Sequence, residues 1–153
     1  MTASVLVRPA IASDVEIVAA FNVAMALETE SLVLDPAVVR RGVEAMLVDP
    51  NKGAYRIATI DGVPVGQLMI TLEWSDWRCG WWWWIQSVYV TPEGRRRGVY
   101  RALYESVLAD VRNAPDVRGV RLYVEQHNAG AQRTYESLGM KRGKYVFYET
   151  ESE

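Results

Sequence analysis

Metal chemistry is the first thing this sequence lacks the residues for. It holds one histidine, His127, and one cysteine, Cys79, too few nitrogen and sulfur donors for an ordinary zinc site. A lone cysteine also excludes an internal disulfide framework and fits a reducing compartment, so a cytoplasmic location is expected. No apolar run is long enough to span a bilayer. The N-terminus has no basic stretch leading into an apolar one, as a secretory signal would. Charge of one sign is missing too. The 17 Lys and Arg nearly balance 19 Asp and Glu, for a net charge of −2, which gives no general attraction to nucleic acid or anionic membrane. Six prolines and 11 glycines are too few for a disordered or fibrous chain. What is present is a 153-residue chain, 50% hydrophobic and 24% charged. That suits a single domain, 1–153, with a buried core.

Hydrophobic periodicity orders the elements. Val5, Leu6 and Val7 read as a first strand. Ser13 and Glu16 form a capping-box pattern before a helix. Val15, Val18, Ala19 and either Phe21 or Met25 form its inner face, and it stops near residues 28–30. Asp35 and Pro36 begin a second helix, which runs to about Leu47. Residues 49–53 are dense in turn formers. Two strands, 55–60 and 63–73, flank the hairpin signal Asp61-Gly62. Residues 75–80 form a polar loop, and 81–90 an aromatic and β-branched strand. Val99, Leu103, Val107 and Val111 recur every four residues, which predicts a helix over 95–111. A strand at 120–124, a helix at 128–138 stopped by Gly139, and a strand at 145–148 complete the chain.

Two strand-to-helix junctions carry the chemistry. The first is Val90-Thr91-Pro92-Glu93-Gly94-Arg95-Arg96-Arg97-Gly98-Val99-Tyr100-Arg101. A helix start has backbone N–H groups without intrahelical partners, and the dipole adds positive potential. Gly98 lets a backbone approach a ligand, and the arginines add charge and forked donors. Together these suit a pyrophosphate. Taken alone, an arginine-rich loop is more often a solvated turn. The second junction runs from Val124 through Asn128, Ala131 and Tyr135 to Gly139. Asn128 can cap the helix, Ala131 is small, and Tyr135 lies one turn further along the same face.

Both junctions, in this order and spacing, resemble those of the GNAT superfamily of acetyl-CoA-dependent N-acetyltransferases. Arg95 and Gly98 match the family pattern of Arg or Gln, two residues, Gly, one residue, then Gly or Ala; Tyr100 departs from the last position. Asn128, Ala131, Tyr135 and Gly139 match its Asn-x-x-Ala-x-x-x-Tyr-x-x-x-Gly segment. The resemblance implies an α/β (α+β) fold: a mixed, mainly antiparallel central sheet with a splayed parallel strand pair, 83–90 and 120–125, flanked by helices. It implies pantetheine between those strands, bound by backbone groups at Val88, Tyr89 and Val90. The amides of Arg96, Arg97, Gly98, Val99, Tyr100 and Arg101 would hold the pyrophosphate beside Arg95, with Asn128, Ala131 and Tyr135 completing the coenzyme site. A neutral amine would attack the thioester directly, and Tyr135 would protonate the departing thiolate.

For the base, Glu28, Glu30, Glu73, Asp76 and Glu125 are candidates, with Glu28 first and a water chain as its rival. Each is individually more often a solvated charge. Glu28, Glu30, Glu73, Asp76, Trp77 and Gln86 form the expected acceptor set. Aromatics beside carboxylates suit a small cationic amine. Among Trp74, Trp77 and Trp81–Trp84, alternation sends at least half to the core. His127 and Cys79 read as non-catalytic. Only 14 residues follow Gly139, where the family usually ends in two strands, so the acceptor wall is expected to be short or completed by a second subunit in a homodimer. A non-catalytic acetyl-CoA-binding module, and a tryptophan-rich binding protein without coenzyme, stand as alternatives. Nucleic-acid binding through Arg95, Arg96 and Arg97 is weaker, since they form one short cluster in an acidic chain.

Overall fold

At Asp61 and Gly62 the chain takes left-handed backbone angles, φ 50° and 78°, the geometry that matches a tight hairpin to the twist of its strands. This turn joins β2 (Ala54–Ile60) to β3 (Val63–Ser75). In the computed structural model, which describes residues 3–153, residues up to Leu122 form one compact unit and Tyr123–Glu153 a second.

The first unit is built on a five-stranded mixed sheet in the order β1-β2-β3-β4-β5. Here β1 is Val5–Pro9, β4 is Gly80–Val90 and β5 is Val117–Arg121. The first four strands pair antiparallel, and β5 lies parallel to β4. This is the mixed sheet with a parallel pair expected from the sequence. Its helices are α1 (Val15–Glu30), α2 (Pro36–Val48) and α3 (Val99–Arg112). Strand alternation separates two faces. Tyr55 and Ile57 pack with Val18, Ala19 and Val43 of α1 and α2. On the other face Arg56 reaches α3, donating to Ser106 Oγ at 2.9 Å and pairing with Asp110 at 2.5 Å. Ile57, Leu68, Leu103, Val18 and Val107 are fully enclosed. A side chain of this size contributes about 1.5–3 kcal/mol when buried.

The second unit contains α4 (Ala129–Ser137), whose end is set by Gly139 at φ 93°.

Several boundaries differ from expectation. The Ser13–Glu16 capping box does not form. A 3-10 turn at Ala12–Asp14 precedes α1, and Asp14 accepts from the Ile11 amide at 2.8 Å and from both Arg8 nitrogens at 2.7 and 2.9 Å. Those bonds hold the Asp14 carboxyl below its usual range. Helix α3 begins at Val99 and not at Arg95, because Arg96 and Gly98 adopt φ 62° and 76° and cannot continue a right-handed helix. Strand β5 is Val117–Arg121, displaced from the expected 120–124. Its register is set by Gly119, where a Cβ would stand 2.5 Å from the Trp82 ring, so only glycine lets the indole lie against the strand.

Residues 145–148 form no strand. A strand needs a neighbour for its backbone groups, and the unit 123–153 contains no second strand among its described residues. The tryptophans also depart from expectation, since none is buried. Trp81–Trp84 are half-buried, and Trp74 and Trp77 are exposed. They pack on one another and on charged groups at the sheet's end: Trp74 meets Trp81 edge-on at 4.9 Å.

One glycine controls how closely α3 sits on the sheet. A Cβ on Gly66 would stand 2.7 Å from Val99 Cγ1 and 3.1 Å from the Tyr89 carbonyl oxygen. Val99 is β-branched and stiff in a helix. Gly66→Ala should therefore destabilise the fold by about 1–3 kcal/mol, the scale of overpacking. Urea denaturation that shows no loss would mean α3 shifts freely.

Candidate active site

Strand β4 changes partners along its length. Its parallel ladder with β5 runs from Trp81–Val117 to Trp84–Arg121 and stops there. Beyond Trp84, β4 continues to Val90 with β3 as its only strand neighbour among the described residues. On the β3 side the register also slips. Gln67 faces Tyr89 while Met69 faces Gln86, so Leu68 alone opposes Ser87 and Val88. This is a β-bulge, which bends its strand and sharpens the twist. Ser87 sits in it at φ 49°, a sparsely populated conformation for a residue with a side chain.

A buried polar cluster underlies the bulge. Gln67 is fully enclosed. Its Nε2 donates to Asn22 Oδ1 at 2.7 Å and to the Ser87 carbonyl at 3.2 Å. Asn22 Nδ2 donates to the Tyr55 hydroxyl at 3.1 Å. Burial pushes the Tyr55 phenol up, while hydrogen bonds to Asn22 and Ser87 oppose that shift. Gln67 Oε1 has no hydrogen-bond partner among the described residues.

After β4 the chain builds a pole for anions. Thr91 anchors the turn: its amide donates to the Val65 carbonyl at 2.8 Å, and its carbonyl accepts from Gly94 at 2.9 Å. Gly98 then caps α3. The first turn of α3 contains no acidic residue, so no carboxylate of its own offsets the positive end of the helix dipole. Arg95, Arg96, Arg97 and Arg101 are exposed around it. Arg95 is already engaged. Its Nε donates to the Val90 carbonyl at 3.1 Å, and its Nη2 pairs with Glu28 Oε1 at 2.5 Å. Both side chains are about two-fifths exposed, 42% and 45%, where an ion pair contributes about 0–1 kcal/mol.

In the second unit Asn128 caps α4, its Oδ1 accepting from the Ala131 amide at 3.1 Å. Gln132 Nε2 ties back to the Gln126 carbonyl at 3.0 Å. Tyr135 follows one turn after Ala131, and burial pushes its phenol above the usual value.

The acetyltransferase (GNAT) family matches residues 21–140. The chain belongs to that family. It is similar over 97% of both chains to a possible acetyltransferase from Clostridium difficile 630, at 42% identity and a TM-score of 0.91. The fold is shared with a ribosomal-protein-alanine N-acetyltransferase from Brucella melitensis biovar Abortus 2308, at 17% identity and a TM-score of 0.78, over 98% of this chain and all of that one. It is shared as well with a GCN5-related N-acetyltransferase from Ralstonia eutropha JMP134, at 19% identity and a TM-score of 0.74, over 96% and 99% of the two chains. No curated protein matches. As a GNAT acetyltransferase the chain belongs with the acyl-transferring enzymes.

The expected acceptor residues are not one cluster. Glu28 lies at the far end of α1 beside Arg95, and Glu30 is the last residue of that helix. Asp76 and Trp77 lie in the turn between β3 and β4, where Asp76 Oδ1 accepts from the Trp77 amide at 3.0 Å. These two groups flank opposite ends of β4, a strand of 11 residues and about 35 Å at the usual rise. Glu73 accepts from Trp84 Nε1 at 2.8 Å and pairs with Arg121 at 3.4 Å. Gln86 Nε2 donates to Thr71 Oγ1 at 2.6 Å. In the second unit Glu125 Oε2 accepts from the His127 amide at 2.7 Å. No described group of three or more His, Cys, Asp or Glu could hold a metal, and no described helix is long and apolar enough to cross a membrane.

Sequence reasoning missed Gln67, Asn22, Tyr55 and Ser87. The available signal was a glutamine inside the apolar run 63–70 and an asparagine on the apolar face of α1.

Gly98 meets no atom within 4 Å of an added Cβ, so its requirement is purely conformational. Gly98→Ala should lower stability by about 1–2 kcal/mol through φ strain alone. Thermal or chemical unfolding indistinguishable from the unaltered protein would show that the cap relaxes to another geometry.

Proposed function

We propose that this chain moves an acetyl group from acetyl-CoA to a primary amine by direct attack in a ternary complex. The observation that carries this reading is the sequence of features along β4. A strand leaves its parallel neighbour after Trp84, bulges at Ser87, and runs through Val88, Tyr89 and Val90 into an acid-free, glycine-capped helix start. The edge of β4 at Val88, Tyr89 and Val90, which pairs with no second strand among the described residues, suits the amides of pantetheine, as an added strand would. The helix start suits its pyrophosphate.

Acetyl-CoA supplies an activated thioester. The amine lone pair attacks its carbonyl carbon, a C–N bond forms, the C–S bond breaks, and the amine gives up a proton while the thiolate leaves. Tyr135, in the family's Asn-x-x-Ala-x-x-x-Tyr segment, is assigned to the departing sulfur. A phenol raised above about 10 is a weaker acid than a thiol of about 8.5, so Tyr135 acts by donating a hydrogen bond more than by full transfer. Glu28 is assigned to the amine, and Glu30, two residues on at the end of α1, adds negative charge that attracts a cationic acceptor. Its bond to Arg95 connects the two substrates: a pyrophosphate that engages Arg95 releases the Glu28 carboxylate.

Titration calorimetry with CoA, and thiol release from acetyl-CoA over a panel of amines, test the activity. Tyr135→Phe keeps the ring and removes only the hydroxyl. Its kcat should fall about 10²-fold, the scale of general acid–base catalysis, with CoA affinity and Tm little changed. Normal turnover with chemistry rate-limiting would assign Tyr135 to packing. Glu28→Gln should raise KM for the amine more than KM for acetyl-CoA. Efficient acetylation of anionic acceptors alone would remove the acidic acceptor site.

A further inference from the structure

We infer that Gln67 is a positioning residue: its amide holds the β4 bulge in the shape that presents Val88, Tyr89 and Val90 to the coenzyme. The inference rests on the coenzyme reading above and adds a residue that no motif contains.

The argument starts from the ladder. At the bulge, Leu68 of β3 faces two residues of β4, so one backbone carbonyl there loses its regular partner. The Ser87 carbonyl is taken up by Gln67 Nε2 at 3.2 Å. The same nitrogen is fixed from the other side by Asn22 Oδ1 at 2.7 Å. Both hydrogens of the Gln67 amide are therefore committed, one to a helix and one to the bulge. Asn22 is itself held by its bond to the Tyr55 hydroxyl. Contacts from α1, β2 and β3 thus converge on the one residue of β4 with a left-handed backbone, the Tyr55 hydroxyl meeting the Ser87 side chain and the Gln67 amide its carbonyl.

Two further features set Gln67 apart from ordinary core packing. It is fully enclosed, yet Oε1 finds no partner among the described residues. A side chain present only to fill that space would be apolar, since an unpaired buried acceptor disfavours the fold. What the glutamine adds is its donor end. Moreover, Ser87 has a Cβ at φ 49°, a conformation that surrounding structure must impose. The donor supplies that constraint from beneath.

The test compares three variants by calorimetric titration with CoA and by thermal unfolding. Gln67→Met preserves volume and removes the donor. It should weaken CoA binding about tenfold, the equivalent of one hydrogen bond's net contribution, and raise KM for acetyl-CoA with kcat less affected. Ile60→Val trims a buried side chain of β2 outside the cluster. It should lower Tm while leaving CoA affinity within about twofold, because the Gln67 grip on Ser87 persists. Ser87→Gly placed in the Gln67→Met background should restore affinity, because glycine takes positive φ without help. Equal losses of CoA affinity in Ile60→Val and Gln67→Met, or no rescue by glycine, overturn the proposal. If Gln67→Met fails to fold, Gln67→Glu replaces it: the carboxylate keeps the shape and repels the Ser87 carbonyl, and unchanged CoA affinity overturns the proposal equally. Failure of the unaltered protein to bind CoA defeats the coenzyme reading alone. The bulge is then read directly from the Ser87 Cα and Cβ chemical shifts. They should leave their left-handed values in Gln67→Met; shifts that stay in place overturn the positioning role.

Discussion

Trp82 lies against Gly119, where a Cβ would stand 2.5 Å from its ring, and the Arg121 guanidinium covers the indole at 3.8 Å with Arg78 at 5.2 Å. A tryptophan clamped by two cations and seated on a glycine gains both area and cation–π attraction. This packing holds β4 and β5 together at one end only. Past Trp84 the clamp ends and so does the parallel ladder. The bulge at Ser87 then adds twist to the part of β4 beyond that ladder. The same strand leads directly into the glycine-capped start of α3, so the end of the ladder, the bulge and the helix start follow one another along a single stretch of chain. The tryptophan run, of which at least half was expected in the core, thereby has a mechanical role at the opposite end of the strand from Arg95.

Legibility in the sequence followed the nature of each constraint. The Asp61-Gly62 hairpin, the Asp35-Pro36 helix start and the Gly139 helix stop depend on local backbone chemistry, and the structure has each of them where the residues placed it. The family itself was readable for the same reason, since its motifs are local. Features that depend on tertiary partners were not. Gly119 lies outside the strand expected at 120–124, yet it sits inside β5, where Trp82 needs the space. Arg96 at φ 62° shortens the front of α3, and nothing in a run of three arginines announces it. The continuous aromatic and apolar run 145–148 reads as a strand but has no strand to pair with in its unit among the described residues. The Ser13–Glu16 box lost to an alternative in which Asp14 serves both the Ile11 amide and Arg8.

The candidate site divides along the same line. The turn expected to hold a pyrophosphate and the Asn128–Tyr135 segment were named from their resemblance to the family's motifs. Glu28 and Glu30 were named from their place between the first two helices and Glu73 and Asp76 from the aromatics beside them, and the structure separates the two groups, with Glu28 by Arg95 and Asp76 beyond the other end of β4. Charge on an exposed side chain carries no information about its neighbours until the fold is known, because a solvated carboxylate satisfies the sequence equally well anywhere on the surface.

The buried cluster shows the opposite case, a polar group whose surroundings decide its meaning. An unpaired acceptor such as Gln67 Oε1 costs about 1–3 kcal/mol, a large share of a domain's net stability. That cost is borne beside the one β4 residue with a left-handed backbone, and the same side chain's Nε2 donates to that residue's carbonyl at 3.2 Å. Neither feature is explained by packing alone. Together they make sense as a strained residue and the donor that holds it, at the head of the segment proposed to bind pantetheine. A strand that must recognise a ligand through its backbone cannot be corrected by side-chain rotamers, and its shape has to be fixed from the layer beneath. Asn22, Gln67 and Tyr55 lie in that layer, contributed by a helix and two strands whose own positions are fixed by the core around Val18 and Ile57.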